Sequence, residues 1–267
     1  MLEAVQRAGV DLITVPELER ERGITVIFTG RLGGNSRPPF DSLNLAYDAG
    51  DENKVVTSNR HLVGKILGIP PEDWVLCRQV HGSCVKRAGE LERGRGGLDH
   101  WSAIPRADGL ISDREGLVLG ILTADCLPLV LVCGSESAVG VAHVGWRGAL
   151  YGVVISALKR LFEYSGCRPD EITAFLGPCI GPCCLKIGKD VADDFRRFIG
   201  DKAVIEGEDG SPRLDLASIC RRQLIGYGIN YTNIFSADVC TSCDEKYFSH
   251  RGSGGNTGRQ AGMVAIL

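Results

Sequence analysis

Four apolar runs constrain the fold of this chain more than any other feature of its sequence. They are near-continuous and rich in valine and leucine, a pattern typical of strands buried on both faces. The last three follow one another with short connections, which favours a mixed or antiparallel sheet over a regular βαβ array. The runs are WVLCRQV at 74–80, GLVLGILTA at 116–124, LPLVLVC at 127–133 and SAVGVAHV at 137–144.

The spacing of the apolar residues becomes helical after the fourth run. Residues 150–162 place apolar side chains at i, i+3, i+4 and i+7, which predicts an amphipathic helix ending near Gly166. The same spacing predicts a helix over 53–67, which Gly68 and Pro70 then end. Shorter helices are predicted at 191–199 and 216–224, and further strands at 24–31, 171–177, 231–237 and 262–267.

Strands and helices interleave along the whole chain, and no repeat or linker divides it. A chain of 267 residues is long enough for one large domain or at most two small ones. We therefore expect one α/β domain spanning residues 1–267. The loose segment at 94–109, rich in glycine, is expected to be a surface loop.

The composition argues against several classes of partner. With 30 Lys and Arg against 33 Asp and Glu, the net charge of −3 gives no electrostatic basis for binding nucleic acid or an anionic membrane. No apolar run approaches the roughly 20 residues that a membrane-spanning helix needs. The N-terminal segment lacks the basic-then-apolar order of a signal peptide, so we expect a cytoplasmic protein.

The eleven cysteines do not indicate a disulfide framework, because their number is odd and the chain is large. Cys133 and Cys220 lie inside apolar patterns, where a free cysteine behaves as a small buried hydrophobe. The segment GPCIGPCC at 177–184 has C-x₃-C-C spacing, which could suggest a metal site. Its prolines and the lack of a nearby histidine favour a rigid turn in a cavity wall.

A second cysteine pair, Cys240 and Cys243, forms a C-x-x-C motif. Without a matching pair or a thioredoxin-like context, this motif is weak support for zinc binding or redox chemistry. Whether Cys183, Cys184, Cys240 and Cys243 bind a second metal stays open at the level of sequence.

Three side chains in separate segments point to an enzyme: His81 in CRQVHG, Cys126 in LTADCLP and His143 in VAHVGWRG. Two imidazoles and one thiol are a sufficient ligand set for a catalytic zinc, which keeps a fourth position open. The same cysteine and histidine could instead form a nucleophile–base pair. Taken singly, each has a structural interpretation, as a histidine that caps a strand end or as an inert buried cysteine.

Candidate anion-binding groups follow these segments. Arg147 lies where a helix begins after the fourth run, beside Trp146, which could pack in the core or line a pocket for a base. Arg251 lies in the glycine-rich tail FSHRGSGGNTGRQAG, whose backbone N–H groups and guanidiniums could hold phosphate. The tail lacks the order of a Walker A loop, and a flexible turn before the last strand is an equal alternative.

Taken together, six motifs resemble the family first catalogued as polyphenol oxidase or laccase-domain proteins, now described as purine nucleoside phosphorylases with adenosine deaminase activity. The resemblance runs from about Ile24 to the C-terminus and includes TGRLGG and FDSLNL near its start. Two positions depart from the usual pattern: Val144 replaces an alanine, and Gly252 replaces a second arginine. The motifs are CRQVHG, ADGLI, LTADCLPLVL, VAHVGWRG, GPCIGPCC and FSHR…TGRQ.

The resemblance implies a mixed-sheet α/β sandwich similar to the catalytic domain of cytotoxic necrotizing factor. It implies zinc bound by His81, Cys126 and His143, which with Arg147 would be the catalytic residues. It also implies substrate binding by Arg31, Asn44 and Arg251. The substrates would be phosphate and the purine nucleosides adenosine, inosine, guanosine and methylthioadenosine, bound by a monomer or homodimer.

The older laccase description can be tested against composition. A multicopper oxidase needs many imidazoles for its four coppers, and this chain has five histidines and no H-x-H pair. Copper is therefore expected only as an adventitious metal. Two alternatives to the nucleoside enzyme stay open: a cysteine hydrolase or deamidase using Cys126 and His143, and a zinc-stabilised scaffold without enzymatic activity.

Overall fold

The computed structural model describes residues 1–134 and 138–267, in which two large β-sheets are flanked by helices. The strands are β1 Glu3–Arg7, β2 Val10–Thr14, β3 Ile24–Thr29, β4 Trp74–Arg78, β5 Val85–Arg87, β6 Ile104–Pro105, β7 Gly109–Ser112, β8 Leu117–Thr123, β9 Leu127–Cys133, β10 Val139–Val144, β11 Ile172–Leu176, β12 Val204–Glu206, β13 Pro212–Leu214, β14 Ile234–Ser236 and β15 Gln260–Ile266. The helices are α1 Pro16–Arg22, α2 Asn53–Leu67, α3 Trp146–Leu150, α4 Val153–Ser165, α5 Lys189–Phe198 and α6 Leu216–Gly226.

The first sheet has seven strands in the order β1-β2-β3-β15-β8-β4-β6. The C-terminal strand β15 lies at its centre, antiparallel to both β3 and β8. Strand β4 then runs parallel to β8, so the two strands end at the same edge of the sheet. This arrangement brings segments from both ends of the chain to one edge.

The second sheet has six strands in the order β14-β11-β9-β10-β7-β5. Strands β9 and β10 are antiparallel neighbours, with His143 opposite Pro128 and Val144 opposite Leu127. The end of β10 therefore lies beside the start of β9. A separate small hairpin is formed by β12 and β13.

Three apolar clusters show how the layers pack. One lies between the two sheets and includes Phe28, Val130 and Val264. Another covers the outer face of the seven-stranded sheet with α2, and the largest covers the outer face of the six-stranded sheet with α3, α4 and α6. Central strands are thus covered on both faces, which explains why their sequences are near-continuous apolar runs.

The mixed α/β class predicted from the sequence is confirmed. Helix α2 and strand β9 have the predicted bounds, and the other predicted elements are present within a few residues of theirs. The first residue of the fourth apolar run, Ser137, lies outside the described residues. The N-terminal hairpin β1–β2 and helix α1 were not predicted.

Two expectations need correction. The apolar runs β8 and β9 belong to different sheets, because both are central strands and their sequence pattern does not say which sheet holds them. Cys133 is not a free cysteine, since it forms a disulfide bond with Cys167. The nine other cysteines are free thiols. Among the described residues, no helix has the length and apolar character required to cross a membrane.

Candidate active site

His81, Cys126 and His143 come from three different elements and meet at one edge of the sheets. His81 follows β4, Cys126 lies in the turn between β8 and β9, and His143 belongs to β10. Their ligand atoms all lie within 4.8 Å of one another. The two imidazole centroids are 4.7 Å apart. The structure therefore brings together the three residues that the sequence singled out.

A buried carboxylate, Asp108, orients two of these residues. Its oxygens accept hydrogen bonds from the backbone N–H groups of His81 and Gly82, both at 2.8 Å, and from Nδ1 of His143 at 3.0 Å. Because Nδ1 bonds to Asp108, Nε2 is the nitrogen of His143 left to interact with Cys126. Burial by itself would raise the pKa of Asp108, but the hydrogen bonds from His143 and from the backbone lower it.

Local backbone geometry makes the close approach possible. A Cβ atom on Gly145 would lie 2.9 Å from Sγ of Cys126 and 3.0 Å from Nδ1 of His81, so a larger residue would displace both. His81 and Asp125 have positive φ angles of 57° and 92°, values that non-glycine residues seldom adopt. Such backbone conformations concentrate at functional sites.

Asp125 fixes the turn that carries Cys126. Its carboxylate accepts hydrogen bonds from the Thr241 hydroxyl at 2.8 Å and from the backbone N–H of Arg251 at 2.7 Å, and its carbonyl accepts one from Ile180. These contacts satisfy the requirement that a buried carboxylate be hydrogen-bonded. They also tie the thiol to the tail and to the 177–184 segment.

Cys126 and His143 perturb each other electrostatically. Burial alone would raise the pKa of the Cys126 thiol, but interactions with His143 and then His81 lower it to about 6. Burial alone would lower the pKa of His143, but the Cys126 thiolate and Asp108 raise it to about 9. Between these values the pair is a thiolate and an imidazolium.

This donor set fits zinc. A thiolate and two imidazoles are ligands that zinc prefers. A histidine that binds zinc usually donates its other ring N–H to a carboxylate or carbonyl, as His143 does to Asp108. His81, Cys126 and His143 would hold the ion and leave one coordination position for a substrate or water.

The trio lies in a cleft of about 530 Å³, within the range of about 300–1,000 Å³ usual for small-molecule sites. Both polar and apolar side chains line it, including four arginines. Residues lining the cleft include Arg78, Gln79, His100, Thr123, Trp146, Arg147, Ile180, Leu185, His250, Arg251 and Arg259.

The two arginines predicted to bind anions differ in their surroundings. Arg147 is exposed, and its guanidinium lies 4.4 Å from the Trp146 ring centroid. The Arg251 guanidinium instead donates to the carbonyls of Cys184 and Lys186 at 3.2–3.3 Å. Arg147 is therefore available to a ligand, whereas Arg251 already holds part of the cleft wall.

Arg31 and Asn44 are not brought to the cleft surface. The Arg31 side chain bonds to Asp41 through its carbonyl and its carboxylate. Asn44 is fully buried, where its side chain donates to Asp51 and accepts from the backbone N–H of Arg259. Any effect of these two residues on a ligand would pass through the loops that they hold.

Sequence reasoning missed three groups of the site. Asp108 is within the ADGLI motif, but its contacts join segments distant in the chain. Arg78 Nε and Thr123 Oγ1 are buried and have no hydrogen-bond partner among the described residues. Unpaired buried donors are costly, and both residues line the cleft, so they mark positions where a ligand could bond.

Comparison with known proteins shows the family of this chain. A family profile described as multi-copper polyphenol oxidoreductase laccase matches residues 25–267. "Purine nucleoside phosphorylase YlmD" of Geobacillus stearothermophilus is 35% identical over 91% of this chain and 90% of its own length. "Purine nucleoside phosphorylase YfiH" of Escherichia coli is 31% identical over 96% of this chain and 99% of its own. "Adenosine deaminase RL5", from an unknown prokaryotic organism, is 30% identical over 89% and 92%.

A solved structure is similar to this chain in both fold and sequence. The crystal structure of the Bacillus licheniformis hypothetical protein YfiH matches with a TM-score of 0.92 and 32% identity, covering 100% of this chain and 99% of that one. Similarity of this extent in sequence and structure covers every strand that carries a site residue. The chain therefore belongs to the family described as multi-copper polyphenol oxidoreductase laccase, whose relatives named above are a purine nucleoside phosphorylase in two bacteria and an adenosine deaminase.

Proposed function

We propose that this chain is a zinc-dependent purine nucleoside phosphorylase that also deaminates adenosine. The observation that carries the proposal is the convergence of His81, Cys126 and His143 in a cleft that also holds an exposed arginine. The names of the similar proteins support both reactions. Adenosine, inosine, guanosine and methylthioadenosine are the proposed nucleosides.

Different side chains of the site would bind the metal and the nucleoside. His81, Cys126 and His143 would hold the zinc, which when bound supplies a Lewis acid able to polarise an oxygen or to lower the pKa of water. Asp108 keeps His143 oriented through Nδ1. The unpaired donors of Arg78 and Thr123 are placed to bond to the nucleoside.

The anionic substrate requires a separate position. In phosphorolysis a phosphate oxygen bonds to C1′ of the ribose while the bond to the purine breaks, and the purine takes up a proton. Arg147 offers a guanidinium that can bind two phosphate oxygens at once. Trp146 beside it supplies an aromatic face, and Arg251 supplies its remaining N–H groups.

Adenosine incubated with and without phosphate tests this proposal. Phosphorolysis should yield adenine and ribose 1-phosphate only when phosphate is present. Deamination should yield inosine and ammonia in either buffer, because water replaces phosphate as the nucleophile. Chromatography of the products separates the two reactions. A metal-loaded, folded protein that leaves adenosine, inosine and guanosine unchanged would refute the proposal.

A cysteine hydrolase is the second candidate, because Cys126, His143 and Asp108 also form a nucleophile, base and orienting carboxylate. Iodoacetamide distinguishes the two functions. A zinc-bound thiolate should resist alkylation at Cys126 until a chelator removes the metal, whereas a free nucleophile should react in both states. Stabilisation of the fold by added nucleoside would separate either enzyme from a scaffold, since only a binding site raises the melting temperature by mass action.

The two arginines should respond differently to substitution. Arg147→Lys keeps the charge but loses bidentate contact, and a charge-assisted hydrogen bond is worth about 1.5–3 kcal/mol. We expect phosphorolysis to fall by about 10- to 100-fold, with a smaller loss of deamination. Arg251→Ala should lower the melting temperature and raise the KM for phosphate, because its guanidinium also holds two carbonyls of the wall.

Both rates and a melting curve, measured for each variant, check this prediction. Arg160→Lys is a matched control, because Arg160 lies on the exposed face of α4 and pairs only with Glu163 among the ion pairs of the described residues. If Arg147→Lys lowers both rates equally and also melts earlier, Arg147 is a structural residue and the phosphate position lies elsewhere.

A further inference from the structure

A second group of thiols lies beside the cleft and takes no part in the proposed reactions. It consists of Cys183, Cys184, Cys240 and Cys243, whose sulfurs all lie within 4.8 Å of one another. The Sγ–Sγ distances are 3.4 Å for Cys183–Cys240, 3.6 Å for Cys183–Cys243 and 3.4 Å for Cys184–Cys243. Two segments separated by more than fifty residues in sequence therefore bring four thiols to one point.

These distances match a tetrahedral metal site. Zinc–sulfur bonds of about 2.3 Å in a tetrahedron place neighbouring sulfurs about 3.8 Å apart. The observed separations of 3.4–3.6 Å need only small outward shifts. A disulfide bond would instead require about 2.05 Å, so each candidate pair would have to close by more than an ångström.

The surrounding backbone holds the thiols in place. Residues Cys179 and Cys240 form an isolated β-bridge that joins the two segments. The N–H of Gly181 donates to Sγ of Cys240 at 3.2 Å. A Cβ on Gly181 would lie 3.3 Å from Sγ of Cys183, so glycine leaves room for the sulfurs to meet. The backbone N–H of Cys243 bonds to the carbonyl of Cys240 and closes the C-x-x-C turn.

We propose that Cys183, Cys184, Cys240 and Cys243 bind a zinc ion in a structural Cys₄ site. Four sulfur ligands leave no open position, which distinguishes structural zinc from the catalytic kind. Each thiol releases its proton to solvent as it becomes a ligand. Four thiolates around a divalent ion carry two net negative charges, and two guanidiniums lie beside them, since Arg213 and Arg251 donate to the carbonyls of Cys183 and Cys184.

The proposed ion would brace the wall of the cleft. Ile180 and Leu185, on either side of the first cysteine pair, line the cleft. Thr241, inside the C-x-x-C turn, donates to the carboxylate of Asp125, the neighbour of Cys126. The metal would thus fix the two segments that hold the catalytic thiol's turn. Its removal should loosen that wall without removing a ligand of the catalytic trio.

Metal content of the whole protein, purified without chelator, tests this site. Wild-type protein should contain two zinc ions per chain and Cys126→Ala one. Adding Cys183→Ser and Cys243→Ser to Cys126→Ala should remove the remaining ion. Cys84→Ser in the same background is the matched control, because Cys84 is an exposed free thiol outside the group. Circular dichroism of each variant verifies that it is folded.

Cobalt loading of Cys126→Ala gives a readout independent of stability. A tetrathiolate site should show the intense visible bands and sulfur-to-metal charge transfer of tetrahedral cobalt, which a site with two imidazoles does not reproduce. In wild-type protein, alkylation of the four cysteines should be slow until a chelator is added. The proposal would be overturned if folded Cys126→Ala contained no metal, or if the four cysteines were alkylated as fast without chelator as with it. An intact mass showing disulfide bonds among the four would also overturn it. Bound iron in place of zinc would overturn the assigned metal.

Discussion

Replacement of Cys126 by alanine should lower the zinc content by one ion per chain and abolish both phosphorolysis and deamination. The thiol is the single anionic ligand of the trio, and the two histidines alone make a weak site. Loss of a partner outside the ligand shell already costs about 10- to 100-fold in metal affinity or activity. Loss of a ligand should exceed that range for kcat/KM of both reactions.

Zinc analysis and product assays on the same preparation measure this effect. Cys84→Ser should keep the full zinc content and both activities, because Cys84 is exposed and contributes no atom to the trio. If Cys126→Ala retains all of its zinc, the catalytic metal is not held by this thiol. If it loses the metal and keeps both activities, zinc has no part in the chemistry.

The ligand trio could be predicted from sequence because each member stands at the end of an apolar run. An apolar strand that stops at His81, or at the turn holding Cys126, implies a polar side chain at a sheet edge. The sequence pattern does not indicate which strand ends lie next to each other in the folded protein. Strands β8 and β9 adjoin in sequence yet lie in different sheets, and only the pairing of β4 with β8 and of β9 with β10 brings the three residues together.

Asp108 and the four-cysteine group could not be predicted for a related reason. Asp108 acts through contacts with residues 80–82 and 143, which a single sequence does not connect. The prolines of the segment at 177–184 predict a rigid turn, and Ile180 of this segment does line the cleft. Its cysteines become part of a possible metal-binding group only when the pair at 240 and 243 folds against them. Neither motif alone therefore predicts the group.

Substitution of Asp108 by asparagine should weaken both the fold and the catalytic metal site. The carboxylate accepts from the backbone of Val80, His81 and Gly82 and from His143, whereas an amide would direct an NH₂ group at some of these donors. We expect a loss of about 3 kcal/mol in the free energy of unfolding. Zinc affinity should fall by about 10- to 100-fold.

The effect on zinc affinity should depend on pH in a defined direction. In the metal-free wild type, the pKa of about 9 keeps His143 protonated at neutral pH, while the pKa of about 6 keeps Cys126 a thiolate. Between these values, zinc must displace one proton from the pair, so affinity rises with pH up to about 9. Below about pH 6 two protons must leave, and the dependence becomes steeper.

Asp108→Asn removes one cause of the raised pKa of His143, so the variant suffers less competition from protons at neutral pH. This gain partly offsets the lost orientation of the ring near pH 7. Above about pH 9 both proteins have a neutral His143, and only the loss of orientation remains. The affinity deficit of the variant should therefore grow as the pH rises from 7 to above 9.

Competition with a chromophoric chelator at several pH values measures that deficit, and calorimetry in buffers of different ionisation enthalpy counts the released protons. Asp193→Asn is the matched control, because Asp193 is an exposed carboxylate on α5 paired with Arg196, and its change should stay within about 0.5 kcal/mol. A purely structural Asp108 would lower the melting temperature by the same amount but leave zinc affinity and proton release as in the wild type. Tighter zinc binding by the variant than by the wild type near pH 7, with equal affinities above about pH 9, would show that the carboxylate acts only on the charge of His143 and not on its orientation.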